Sequence, residues 1–150
     1  MIRDDIKAAQ ITAMKAGDKE TRNTVSLIQS AIKNRDIEAR TGKAPESDDA
    51  LVIEVLQKMV KQRRESIDMF TKGGRQELAD AETAEVAVIE RFLPQQMSEA
   101  ETSAAIETIK AELGAAGMKD MGRVMAELKA RHASELDMSK ASGLVKAALA

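Results

Sequence analysis

Two carboxylates stand out as groups whose placement could do chemistry. Leu78, Glu82, Glu85, Ile89 and Phe92 recur at intervals of four, three, four and three, which on a helix puts Glu82 and Glu85 on the apolar seam. Before a Gly73-Gly74 turn lies the basic run Lys58, Lys61, Arg63 and Arg64. Paired carboxylates can do acid–base work, and clustered cations can clamp phosphates. Neither reading has a nucleophile beside it. The chain has no Cys and a single His, His132, so thiolate catalysis and Cys-based metal sites are excluded, and multi-His sites with them. No His follows either Glu at the three-residue spacing of a di-metal bundle, and Gly73-Gly74-Arg75 lacks the Lys-Ser/Thr of a phosphate loop. The favoured reading is therefore a structural ion-pair layer of Arg63, Arg75, Glu82 and Glu85, with Lys61 also in reach. No catalytic residue, metal or cofactor is expected. His132 reads as a helix-end residue against last-turn carbonyls.

A second cationic group lies near the end of the sequence. Residues 118–150 carry six basic side chains (Lys119, Arg123, Lys129, Arg131, Lys140, Lys146) against four acidic ones, a local excess of two. Over the whole chain 23 Lys and Arg face 25 Asp and Glu, so the net charge is −2 and any attraction for phosphate must be local. With two Phe and neither Trp nor Tyr, stacking platforms for bases are excluded as well.

The elements that must position these groups are helices. Ala, Glu, Lys and Arg dominate the composition, and no alternating pattern suggests a strand. Breakers divide the chain into helices over about 2–16, 19–40, 48–72, 75–92, 98–113, 120–131 and 139–149. Gly17, Gly42 with Pro45, Gly73-Gly74, Pro94, and Gly114 with Gly117 mark the ends. Asp18, Ser47 or Asp48, Ser98 and Asp137 or Ser139 can cap the starts, and Ser98 with Glu101 forms a capping-box pattern. Leu93-Pro94-Gln95-Gln96-Met97 reads as a linker. The expectation is an all-α protein: a four-helix part over 1–95 with a long hairpin, and a three-helix part over 96–150. No apolar run is long enough to cross a bilayer and the first residues show no signal core, so no membrane partner and a cytoplasmic location are expected.

Lys61-Gln62-Arg63-Arg64-Glu65-Ser66, Gly74-Arg75 with Leu78-Ala79 and Glu82, and Phe92-Leu93-Pro94-Gln95-Gln96 follow one another in a specific order. Together with Met121-Gly122-Arg123-Val124-Met125 and Leu144-Val145-Lys146, they make nearly the whole chain resemble the GatB/YqeY family. Related sequence forms the helical tail of the B subunit of glutamine-dependent Asp/Glu-tRNA amidotransferase, a carbon–nitrogen ligase, where the tail engages tRNA. The resemblance implies a non-catalytic accessory module that contacts tRNA, with amidotransferase or other protein subunits as further partners. Arg123, Lys129, Arg131, Lys140 and Lys146 are its phosphate-binding candidates, with Lys58, Lys61 and Arg64 as a second patch. The alternative is a helical protein-interaction adapter that binds no nucleic acid. Both readings use the same fold.

Overall fold

A computed structural model describes residues 1–150 as seven α-helices with no strand, in two compact units, Met1–Leu93 and Pro94–Ala150. The first unit holds α1 (Ile2–Ala16), α2 (Lys19–Thr41), α3 (Asp48–Lys72) and α4 (Gln76–Glu90). The starts of α2 and α3 have a local cause. The Asp18 carboxylate accepts the Thr21 backbone N–H, and the Ser47 hydroxyl accepts that of Ala50, so donors that a helix start leaves unpaired are satisfied. Between α3 and α4 only Gly74 needs the left-handed region, at φ 74°, while Gly73 keeps a negative φ of −82°.

Ile6 of α1, Val25, Ile28 and Ile32 of α2, Leu51 to Met59 on the inner face of α3, and Val88 and Ile89 of α4 form one core. Past Val60, α3 has no fully buried side chain. Half-buried Arg63, Ile67 and Phe70 continue its seam along α4, whose buried residues there are Ala79 and Val86. Leu78, expected inward, is 44% exposed. It sits in the first turn of α4, where Ala79, one residue on and about 100° round the helix, takes the inward side instead. That helix also ends at Glu90, so Phe92 belongs to the turn that follows.

The second unit holds α5 (Glu99–Leu113), a 3₁₀ turn over Met118–Asp120, α6 (Met121–His132) and α7 (Met138–Leu149). Ile106, Ile109, Val124, Leu128, Leu136, Ala141, Val145 and Leu149 are its core. At the start of α5 the full capping box forms: Ser98 Oγ accepts Glu101 N–H at 3.1 Å, and the Glu101 carboxylate accepts Ser98 N–H at 2.9 Å. Asp137 caps α7 through the Ser139 N–H, and at its other end Lys110 Nζ donates to the Ala148 carbonyl at 2.9 Å. The stretch read as a linker is tied down in part. Gln96 Nε2 donates to the carbonyls of Pro94 and Ser134, and Met97 N–H donates to that of Glu135, so the turn between α6 and α7 clasps residues 96 and 97.

Candidate nucleic-acid interface

On α6 and α7 the basic side chains fall into two classes. Arg123 is engaged within the unit, although its side chain is 57% exposed: its guanidinium donates to Asp120 Oδ1 at 3.1 Å and to the Leu113 carbonyl at 2.9 Å. Asp120 is 7% exposed and also accepts the Ala116 backbone N–H at 3.0 Å. That bond, then the charge of Arg123, holds the Asp120 carboxyl below its ordinary range. Arg123 therefore fastens the loop between α5 and α6. Arg131 is likewise engaged, donating to Glu112 at 2.6 Å and Glu127 at 2.7 Å, and these bonds raise its affinity for its proton. Lys129, Lys140 and Lys146 are exposed and in no ion pair. Of the five candidates, these three can reach a phosphate without giving up an existing bond.

The run from 58 to 64 does not form one patch, because successive residues on a helix face different ways. Arg64 crosses to Glu90 on α4 at 2.6 Å, while Asp68, four residues along the helix from Arg64, takes Lys72 at 2.9 Å. Lys61 is exposed but has a partner of its own. Lys58 is exposed on the rim of a cleft lined by Arg35, Glu38, Lys43 and Glu54, where Arg35 approaches Glu54 at 3.5 Å. Acids in this cleft offset its cations.

Between α3 and α4 the ion-pair layer has two members rather than four. Arg63 Nε donates to Glu85 Oε2 at 2.7 Å, with the arginine side chain 15% exposed. Glu82 does not join: its Oε2 is buried with no hydrogen-bond partner. Arg75 is exposed at the start of α4 and forms no ion pair. The single Arg63 guanidinium is thus matched to one of the two carboxylates, and the other keeps a buried oxygen without a hydrogen-bond partner. His132 Nδ1 is buried without a hydrogen bond and stands 3.6 Å from the Glu135 carboxylate, so the ring faces an acid in the next turn rather than helix carbonyls.

Sequence reasoning missed a three-residue ion cluster. Arg3 makes paired bonds to Asp36 at 2.9 and 3.0 Å and reaches Asp48 at 2.7 Å, joining the start of α1 to α2 and to the start of α3. The Ile2 N–H adds a bond to Asp49 at 3.0 Å. The Asp36 carboxyl is held below its ordinary range by the Arg3 hydrogen bond. Partners 33 and 45 residues apart leave no short-range signal.

Comparison with known proteins locates this arrangement among relatives. The chain is 32% identical over 114 residues to altered inheritance of mitochondria protein 41, mitochondrial, of Lachancea thermotolerans, covering 75% of this chain and 57% of that protein. The protein of the same name from Eremothecium gossypii is 32% identical over 92 residues, covering 61% and 46% of the two chains. An uncharacterized protein of Schizosaccharomyces pombe is 29% identical over 93 residues, covering 62% and 72%. The chain thus spans about half the length of the relatives named for mitochondrial inheritance. Those names overturn the expectation of a cytoplasmic location. Charge and hydropathy separate water from a bilayer, but they do not separate one aqueous compartment from another. The family model described as Yqey-like protein matches residues 3–149, and the chain belongs to the YqeY family.

Proposed function

We propose that this chain is a non-catalytic tRNA-binding accessory module that meets phosphates through α6 and α7. One observation carries the reading: apart from the exposed Glu99, the acids of the second unit are engaged within it, whereas three exposed lysines of α6 and α7 are not. Glu107, Glu112, Asp120, Glu127 and Glu135 face Lys110, Arg131, Arg123 or His132, while Glu101 and Asp137 serve as helix caps. Lys129, Lys140 and Lys146 keep their charges for an outside partner. A contact of this kind attracts RNA by charge and shape without reading bases, in keeping with the lack of stacking aromatics. The resemblance supplies the choice of tRNA and the association with amidotransferase subunits.

An electrophoretic titration of deacylated tRNA tests the proposal. Replacing Lys129, Lys140 and Lys146 together by Ala should weaken binding by about tenfold or more, with the helical circular-dichroism signal unchanged. Unaltered affinity in the triple variant would move the contact elsewhere. Absence of binding at low salt would favour the protein-interaction adapter.

A further inference from the structure

The outer face of α2 carries a pattern that the fold does not use. Asn23, Leu27, Ser30, Asn34, Ile37 and Thr41 follow at intervals of four, three, four, three and four, and all six are exposed. Their line lies on the side of α2 opposite Thr21, Val25, Ile28 and Ile32, which face the core. It runs about 27 Å at 1.5 Å per residue. None of the six is charged, although Asp, Glu, Lys and Arg make up 32% of the chain. Leu27 and Ile37 are 47% and 50% exposed on it. The spacing is that of a heptad, with Leu27, Asn34 and Thr41 at a positions and Asn23, Ser30 and Ile37 at d positions, of which Leu27 and Ile37 are apolar.

We propose that this face is a self-association surface, on which α2 of a second copy of the chain packs parallel and in register. Three features select that occupant. A polar Asn at an a position, here Asn34, pairs with its own copy and sets register in two-stranded parallel coils. The edges of the seam are of opposite charge where they matter: Lys33 stands at a g position and Glu38 at the e position five residues on, the spacing at which g and e side chains of parallel helices meet. Lys33 has no ion pair within its own chain, and the Glu38 side chain is 72% exposed, with Arg35 no nearer than 4.0 Å. An antiparallel pairing instead sets the edge of Lys33 and Arg40 against its own copy, where like charges repel. The seam is narrow, because Thr24 and Ala31 at the other e positions are buried or half-buried in the unit itself. Association is therefore weak, in the class of interfaces below about 1,200 Å².

Since the chain has no cysteine, single thiols report contact cleanly. Ser30→Cys places a thiol at a central d position, and Ser103→Cys places one on an exposed site of α5 as control. At equal concentration under mild oxidation with diamide, Ser30→Cys should form the covalent dimer on the order of tenfold faster than Ser103→Cys. Adding Lys33→Glu to Ser30→Cys should remove that advantage, and adding Glu38→Lys to both should restore it. Circular-dichroism melts show that each variant is folded. Equal rates for the two folded single-cysteine chains would overturn the proposal and leave the face to another occupant. An advantage indifferent to Lys33→Glu would overturn the parallel register.

Discussion

Glu82 and Glu85 lie one turn apart on the same seam, yet they hold opposite positions energetically. Glu85 satisfies the guanidinium of Arg63, whereas Glu82 buries one oxygen unpaired. Glu85→Ala should destabilise the fold by about 1–3 kcal/mol, because Arg63 loses its partner in a largely buried place. Glu82→Met, which keeps length and helix propensity while removing the orphaned oxygen, should leave the melting temperature unchanged or raise it. Paired thermal melts check both. Spacing puts the two carboxylates on the inward side of α4, but the choice between them follows from the axial offset of α3 and α4, which no local pattern encodes. The Arg3 cluster has a pH signature. Asp36 is depressed in the folded state, so its stabilisation is present above the unfolded carboxylate range near about 3.9 and is lost as pH falls through the folded value. The melting temperature of wild type should thus fall on acidification below about pH 4, and Asp36→Asn should reduce that fall while lowering stability at neutral pH. A wild-type-like acid profile in Asp36→Asn would contradict the assignment.

Helix ends were the most legible elements, because a cap is decided by residues two or three apart. Asp18, Ser47, Ser98 and Asp137 each sit where a side-chain oxygen meets the orphaned N–H groups of a first turn. Ser98→Ala should cost about 1 kcal/mol, measured by urea unfolding, since it removes one side of the capping box. Gly143 tests the same logic in reverse. It lies inside α7, exposed, and a Cβ there meets nothing within 4 Å. Gly143→Ala should therefore stabilise the second unit by about 0.5–1 kcal/mol. Less legible were features decided across the fold. Leu78 fits the helical spacing but is 44% exposed beside the buried Ala79, and Gln96 looks like linker but is held by the Ser134 carbonyl, 38 residues away. The 3₁₀ turn over Met118–Asp120 was also missed, since it depends on Asp120 reaching back to the Ala116 N–H.

At the scale of the whole molecule, the all-α class followed from composition and period, because a chain this rich in helix formers has few other ways to bury Ile, Leu and Val. Function did not follow in the same way, since charge counts treat all arginines alike. Arg123 and Arg131 contribute to the local excess as much as the lysines do, yet both are held by neighbouring acids or carbonyls. The central proposal is that Lys129, Lys140 and Lys146 meet tRNA phosphates. Its most direct test is the salt dependence of tRNA affinity, followed by fluorescence titration over several salt concentrations. Three phosphate contacts predict a log–log slope of about −2 to −3, flattening towards zero when all three lysines become Ala. A slope in the triple variant equal to that of the wild type, or no binding by the wild type at low salt, would contradict the account.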